Sequence, residues 1–181
     1  MNTSANGFSP FPALFSERLK LRQLIGDDVD RIFFLRSNST VNRYIKRPLL
    51  KEAKEAEAFI NRINKGVEER RILYWAICMK NTPSLIGTIC LWNFNENHSV
   101  AEMGYELHPT YQGKGIMNEA MVTVVEYAHR ELHLTAIEAF THRNNGPSTS
   151  LLEKNNFLIQ PHRTDPDVET NVIYKRVLLG E

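Results

Sequence analysis

The residue types best suited to binding a charged ligand are concentrated in one short segment, residues 112–115 (Gln-Gly-Lys-Gly), between a strand-like run and a helix-like run. Gly113 and Gly115 allow the backbone to adopt positive φ and to approach a ligand closely, so that several N–H groups converge on one point. A helix that begins directly afterwards adds unpaired N–H donors and the positive end of its dipole. The spacing predicts a site for a phosphate or diphosphate, unless the glycines serve a tight turn alone.

Two familiar glycine motifs do not fit this segment. A P-loop requires Gly-x4-Gly-Lys-Ser/Thr, and the sequence contains no such string. A dinucleotide-binding fingerprint requires Gly-x-Gly-x-x-Gly, whereas Gly113 and Gly115 are followed by Asn118. Ordinary nucleotide hydrolysis is therefore not expected, and a dinucleotide-binding domain is the weaker alternative.

The elements that must position this segment predict a mixed α/β layered domain. Apolar and charged residues alternate over residues 17–24, as in a half-buried strand, and apolar residues recur at helical spacing over residues 51–65, with Gly66 as the predicted stop. The middle of the chain predicts an antiparallel meander, because three β-rich runs are separated by short polar turns. In chain order we predict strands at residues 17–24, 73–80, 85–94, 100–107, 136–141, 157–161 and 172–179, and helices after residues 27–28, at 51–65, at about 116–132 and after Pro147.

Composition excludes several classes of protein. The 181 residues are 42% apolar and 24% charged with a net charge of +1, which gives no basic surface for nucleic acid. The longest apolar run, residues 72–79, has eight residues, against roughly 20 for a membrane-spanning helix. Residues 1–12 lack the pattern of a secretory signal and are expected to form a loose arm, from which Phe8, Phe11 and Leu14 pack onto a single domain at residues 13–181.

Cysteine and histidine usage favours neither disulfides nor metal. Cys78 and Cys90 lie in apolar strand-like segments and are expected to be buried, reduced thiols, which suits a cytoplasmic protein. His129 and His133 are four residues apart, but the glutamate between them is misplaced for His-Glu-x-x-His, so no metal site is expected.

The glycine segment also carries a family resemblance. Residues 105–117 (YELHPTYQGKGIM) resemble the acetyl-CoA-binding segment of GNAT N-acetyltransferases, whose motif is Gln/Arg-x-x-Gly-x-Gly/Ala. The match falls on Gln112, Gly115 and Met117, with methionine in place of the usual small residue. Such a methionine is expected to narrow the approach to the diphosphate or to shift the helix slightly.

Two further blocks support the resemblance, which extends over about residues 11–179. Asn145, Ser148 and residues 151–157 resemble the family's Asn-x-x-Ser-x-x-x-x-Glu-Lys-x-Gly-Phe, with Asn156 in place of glycine. Asparagine tolerates a left-handed helix end, so this departure is mild. Residues 11–22 (FPALFSERLKLR) resemble the first strand of the branch that contains the ribosomal-protein N-terminal acetyltransferases (RimJ/RimL-like).

The resemblance implies a mostly antiparallel, partly splayed sheet flanked by helices. It also implies direct transfer of acetyl from acetyl-CoA to a primary amine, such as the N-terminal α-amine of a ribosomal protein, by a monomer or homodimer. Acetylation of a polyamine or aminoglycoside, or a CoA-binding module without catalysis, remain the alternatives. The resemblance places the cofactor against Tyr105, Glu106, Leu107, Gln112, Gly113, Lys114, Gly115, Ile116, Met117, Asn118, Asn145 and Ser148.

Candidates for acid and base follow from the same resemblance. Many members of the family carry a tyrosine at the position of Leu152, where it protonates the leaving thiolate, so Ser148 is the candidate acid or hydrogen-bond donor here. Ser148 serves equally well as a helix cap. Glu102 is the candidate base through water, or a surface strand residue, and Glu106 replaces an aromatic residue where it would attract a cationic acceptor.

Overall fold

The protein is described here by a computed structural model covering residues 7–178, so residue 179 of the last predicted strand and residues 1–6 of the arm lie outside the described residues. The helices are α1 (Val29–Ser37), α2 (Ala53–Glu68), α3 (Ile116–Arg130) and α4 (Gly146–Lys154). The strands are β1 (Leu14–Phe15), β2 (Leu19–Arg22), β3 (Leu73–Met79), β4 (Leu85–Trp92), β5 (Val100–Leu107), β6 (Ala136–His142), β7 (Leu158–Ile159) and β8 (Asn171–Val177).

The eight strands form one sheet in the order β1-β2-β3-β4-β5-β6-β8-β7, and every neighbouring pair is antiparallel except β5 and β6. That parallel pairing extends only from Val100 to Glu102 on β5, against Ala136 to Glu138 on β6. Beyond Glu102 the two strands separate, while β5 continues to pair with β4 and β6 with β8. The splayed α/β sheet that the sequence predicted is confirmed, and its opening lies between β5 and β6.

Apolar side chains cover both faces of the sheet, because alternate residues of each strand point to opposite sides. One cluster packs α3 against the sheet through residues such as Met121, Val124 and the fully buried Trp75. The other packs α1 and α2 on the opposite face through residues such as Ile32 and Phe59. The sheet therefore keeps β5 and β6 in place between two packed layers.

The N-terminal segment from Gly7 onward contributes to this core. Phe8 is buried against Phe94, with 5.4 Å between the ring centroids, and Phe11 and Leu14 pack on the same cluster. The sequence analysis missed β1, because a two-residue strand is too short for its alternation to be recognised.

The structure shows the roles of two residues predicted at helix ends, Gly66 and Asn156, and the state of the two cysteines. Gly66 does not stop α2, which runs on to Glu68; a Cβ at Gly66 would lie 2.9 Å from the Ile72 side chain, so the glycine serves close packing. Asn156 follows α4 with φ of 59°, as expected for a left-handed helix end. Cys78 and Cys90 are buried free thiols on β3 and β4, as predicted.

Candidate active site

A cavity of about 950 Å³ occupies the opening between β5 and β6. Its walls are the separated part of β5, the loop before α3 and the start of α4, and the segments 40–46 and 165–168 lie over its other side. Lys114 alone of the predicted site residues lies outside this lining; its ammonium sits over the Tyr111 ring, 5.9 Å from the centroid. The predicted residues that line the cavity are Glu102, Tyr105, Glu106, Leu107, Gln112, Gly113, Gly115, Ile116, Met117, Asn118, Asn145 and Ser148.

The loop before α3 has the backbone geometry of an anion site. Gly113 and Gly115 adopt φ of 71° and 72°, a region that disfavours residues with a side chain. Gln112 Nε2 donates to Leu107 O at 2.9 Å, which ties the loop to the end of β5. Because the N–H groups of the first turn of α3 have no carbonyl to bind within the helix, this end of the cavity offers donors to a negatively charged group.

Met117 occupies the position where the family motif has a small residue. Its side chain is 8% exposed and belongs to the core cluster beneath α3. Met117 therefore packs into the interior at the wall of the cavity, and its effect on the approach to the diphosphate stays a prediction.

An ion pair that the sequence analysis missed supports the loop from outside. Arg18 donates through Nε to Glu119 Oε2 at 2.6 Å and through Nη1 to Lys114 O at 3.1 Å. Glu119 also accepts from the Ser16 hydroxyl and the Arg18 amide, each at 2.7 Å. Burial alone would raise the pKa of Glu119, but the hydrogen bonds from Ser16 and Arg18 hold it below its usual value.

Three hydroxyl groups meet across the cavity. Ser148 Oγ lies 2.7 Å from the Tyr105 hydroxyl and accepts a hydrogen bond from Thr141 Oγ1 at 2.9 Å. Asn145 caps α4, because its side-chain oxygen accepts from the Ser148 amide at 3.4 Å. Leu152, one turn further along α4, is fully buried in the core, so a hydroxyl facing the cavity comes from Ser148 instead.

Glu102 lies where β5 and β6 begin to separate. Burial is the main cause that raises its pKa to about 7; the nearby carboxylates of Asp165 and Glu138 add to the shift, and a hydrogen bond from Asn93 opposes it. Glu102 also lines a second cavity of about 320 Å³. It therefore stands between two cavities with a carboxyl group that changes charge near neutral pH.

Glu106 is paired rather than free. Its Oε2 accepts from Arg47 Nη2 at 2.5 Å, and both side chains are mostly buried. Arg47 Nε donates in turn to Asn42 Oδ1 at 2.6 Å. Contrary to the expectation from sequence, the charge of Glu106 balances Arg47 instead of attracting a cationic acceptor, and the pair ties the segment between α1 and α2 to β5.

Two segments distant in sequence meet over the open side of the larger cavity. Lys46 Nζ donates to Asp167 O at 3.0 Å, and the rings of Tyr44 and His142 lie 5.3 Å apart. The segment after α1 and the segment before β8 therefore contact each other where both line the cavity.

Neither metal ligation nor membrane insertion is indicated by the part of the chain that is described. Within residues 7–178 no cluster of three or more His, Cys, Asp or Glu side chains is arranged to hold a metal ion. No helix in the same range combines the length and apolar character needed to cross a bilayer.

Comparisons with known proteins agree with this geometry. Residues 18–158 match the family model described as acetyltransferase (GNAT) domain. The uncharacterized N-acetyltransferase YoaA of Bacillus subtilis is 34% identical over 147 residues, which cover 81% of this chain and 83% of that protein.

Solved structures share the fold at lower sequence identity. A GNAT-family acetyltransferase from Bacillus anthracis superposes with a TM-score of 0.79 at 22% identity, covering 92% of this chain and 98% of that one. The ribosomal L7/L12 α-N-protein acetyltransferase RimL, in complex with coenzyme A, superposes with a TM-score of 0.78 at 16% identity, covering 93% and 97%.

Proposed function

Because the chain belongs to the GNAT acetyltransferase family, we propose that it transfers acetyl from acetyl-CoA directly to the N-terminal α-amine of a peptide or protein. The observation that carries the proposal is the cavity itself, which has a glycine loop with helix N–H donors at one end and Glu102 at the other. One end suits a diphosphate, and the other suits an amine that must lose a proton.

The residues of this cavity fit coenzyme A. Both loop glycines have positive φ, and an added Cβ at Gly115 would lie 3.5 Å from the Arg18 guanidinium, so the backbone is open to a close approach. The edge of β5 beyond Glu102 is unpaired on the side of β6 and offers its amides to an extended ligand. When bound, acetyl-CoA supplies an acetyl thioester. Residues 112–118 would hold its diphosphate, Tyr105, Glu106 and Leu107 its pantetheine arm, and Asn145 and Ser148 the opposite side of that arm.

The charge state of the acceptor favours an α-amine. An α-amine with a pKa near 7.7–8 is neutral in about one molecule in ten at pH 7, whereas a lysine amine with a pKa near 10.4 is neutral in about one in 2,500. Glu102, with its pKa of about 7, is a base of matched strength for the first and too weak for the second. In this proposal Glu102 receives the amine proton through a water molecule.

The proposed branch is that of the ribosomal-protein N-terminal acetyltransferases. RimL, whose fold this chain shares, acts on the α-amine of the ribosomal protein L7/L12, which supports a protein N-terminus as acceptor. The contact between Lys46 and Asp167 joins two of the segments that line the cavity, and the proposal places the end of the acceptor chain beside them.

Two measurements test the proposed function. Isothermal titration with acetyl-CoA, CoA and NAD is expected to show binding of the first two alone, and binding of NAD alone would overturn the assignment of the cavity. Thiol release is then followed with peptides that have free N-termini, matched N-acetylated peptides containing lysine, spermidine and an aminoglycoside. Turnover with the free N-termini supports the proposal; turnover only with spermidine or the aminoglycoside, or acetyl-CoA binding without turnover, would contradict it.

A further inference from the structure

Three hydroxyl groups from three different elements form a short chain inside the cavity. Tyr105 comes from β5, Thr141 from β6 and Ser148 from the first turns of α4. The Ser148 oxygen is central, 2.7 Å from the Tyr105 oxygen and 2.9 Å from that of Thr141. Ser148 and Thr141 are buried, with exposed fractions of 8% and 7%. The sequence analysis predicted cofactor contacts for Tyr105 and Ser148 but not for Thr141.

A count of donors shows that one proton of this chain is unused. Each hydroxyl carries one O–H donor and two acceptor lone pairs. The three groups make two hydrogen bonds with one another, and within residues 7–178 none of them donates to any other protein acceptor. Two of the three protons are therefore engaged, and the third is directed to the cavity that these side chains border.

The identity of the free proton follows from acidity and geometry. Thr141 donates to Ser148. The hydrogen bond between Tyr105 and Ser148 is compatible with either hydroxyl as the donor. Because a phenol is more acidic than an aliphatic hydroxyl, we assign Tyr105 as the donor to Ser148. Both lone pairs of the Ser148 oxygen then accept hydrogen bonds. The Ser148 O–H is left free to donate to a group in the cavity.

We infer that Tyr105 and Thr141 are positioning residues that fix the Ser148 hydroxyl as a one-way hydrogen-bond donor to the sulfur of the leaving thiolate. The inference rests on the proposed function, since it requires a thioester in the cavity. As the C–N bond forms and the C–S bond breaks, the electron pair moves to sulfur, where the Ser148 O–H stabilises the charge. A proton from water then converts the thiolate to the CoA thiol, and the proton lost by the amine passes to Glu102 and from there to solvent.

Two features favour this arrangement over a single acidic group. Leu152 has no proton to give and is sealed in the core. Burial raises the pKa of Tyr105 to about 12, so the phenol stays neutral and keeps donating over the usual range of pH. Hydrogen bonds that run in one direction strengthen each other, so the two fixed donors make Ser148 a better donor than an isolated serine.

The test measures the thiol pKa of bound CoA from its thiolate absorbance across pH, together with kcat and KM for acetyl-CoA. Ser148→Ala is expected to raise the pKa of the bound thiol and to lower kcat about 10- to 100-fold, the effect of one hydrogen bond to a charged group. Tyr105→Phe and Thr141→Val are expected to act in the same direction by about 3- to 10-fold, with little change in KM. Ser148→Thr retains the hydroxyl and is expected to restore most of the rate.

Thr149→Val is the matched control, because Thr149 is partly exposed, neighbours Ser148 on α4 and donates to Gly146 O. Its kcat and bound-thiol pKa are expected to equal those of the wild type. The inference is overturned if Tyr105→Phe changes neither quantity while titration with CoA shows that the variant is folded and binds normally. It is also overturned if Tyr105→Phe costs as much as Ser148→Ala, since the phenol would then be the donor. An active wild type in either case leaves the proposed function intact, whereas a wild type without CoA binding removes both.

Discussion

Arg18 and Glu119 are 101 residues apart in sequence, yet their side chains meet with 2.6 Å between Arg18 Nε and Glu119 Oε2. The pair joins the turn before β2 to the first turn of α3. A carboxylate at the start of a helix is favourable for the helix dipole but repels an anion at the same end. Arg18 balances that charge and also fixes the carbonyl of Lys114, so the glycine loop is supported by a residue outside it.

Loss of Arg18 is expected to weaken the binding of acetyl-CoA. In Arg18→Ala the Glu119 carboxylate is unbalanced beside the loop, and the Lys114 carbonyl loses its donor. We expect KM and the dissociation constant for acetyl-CoA to rise about tenfold, roughly 1.4 kcal/mol, with kcat nearly unchanged. Arg71→Ala, which removes an exposed partner of Glu69, is the control and is expected to leave both constants alone. An equal effect of the two variants would contradict the supporting role of Arg18.

Substitution of Gly115 is expected to weaken acetyl-CoA binding. The loss is expected to be larger for a side chain that is bulkier and negatively charged. Gly115→Ala places a Cβ on a residue with φ of 72°, which costs about 1–2 kcal/mol of backbone strain. Gly115→Glu adds an anion and a side chain where a diphosphate is proposed to lie, so titration should detect no binding. Gly26→Ala is the control, because a Cβ there meets no atom within 4 Å. Undiminished affinity in Gly115→Glu would place the diphosphate elsewhere.

The pH dependence of the reaction is expected to follow Glu102. With its pKa raised to about 7, Glu102 becomes increasingly protonated below that pH and loses its ability to accept a proton, so kcat/KM should fall as the pH drops below about 7. Glu102→Gln should lose most of its activity and the decrease of kcat/KM at low pH. Glu96→Gln, at an exposed turn, should keep the activity and the pH dependence of the wild type. A wild-type profile of kcat/KM that stays flat between about pH 5.5 and 8 would exclude Glu102 as the base.

The raised pKa of Glu102 also makes the free energy of unfolding depend on pH, in the direction opposite to that of most carboxylates. The folded state binds the Glu102 proton more tightly than the unfolded chain does, so this stabilisation is complete below the ordinary glutamate pKa and disappears as pH rises through about 7. Urea unfolding at a series of pH values is expected to show a smaller decline in Glu102→Gln than in the wild type. Identical pH dependence in the two proteins would contradict the raised pKa.

The buried pair of Arg47 and Glu106 predicts a large loss of stability on removal of one partner. Arg47→Met leaves the Glu106 carboxylate buried without its cation, which costs about 3–5 kcal/mol in the free energy of unfolding. Replacing Glu106 by Gln in the same chain removes the orphaned charge and should recover part of that loss. Lys54→Ala breaks a pair with Glu52 that lies in solvent and should cost less than about 1 kcal/mol. Chemical denaturation measures all three.

Local patterns in the sequence predicted the elements that build the site. The glycine spacing before α3 and the β-rich runs of the meander depend on neighbours a few residues away, so their consequences are visible in the chain. The positive φ of Gly113 and Gly115 follows from such local chemistry. The alternative role of Ser148 as the helix cap was wrong, because Asn145 caps α4 and accepts from the Ser148 amide.

The pairs that complete the site depend on contacts between distant residues, and no local pattern identifies them. Arg47 and Glu106 are 59 residues apart, and Lys46 reaches Asp167 across 121. The misplaced expectation for Glu106 shows the limit: a strand carboxylate is free or paired according to which residue the fold brings to it. Lys114 is likewise placed by a distant contact, since its carbonyl accepts from Arg18 while its side chain lies over the Tyr111 ring.

The short pairing between β5 and β6 links the lifetime of the folded protein to its supply of co-substrate. Three residue pairs join these strands, and residues further along both strands line the cavity. Amides on that gap should exchange with deuterium quickly in the free protein and slowly once the pantetheine arm bonds to them. At a concentration 100 times the dissociation constant, a ligand that binds only the folded state adds about 2.7 kcal/mol of stability. A cell with a low concentration of acetyl-CoA would then degrade this enzyme faster than a cell with a high concentration.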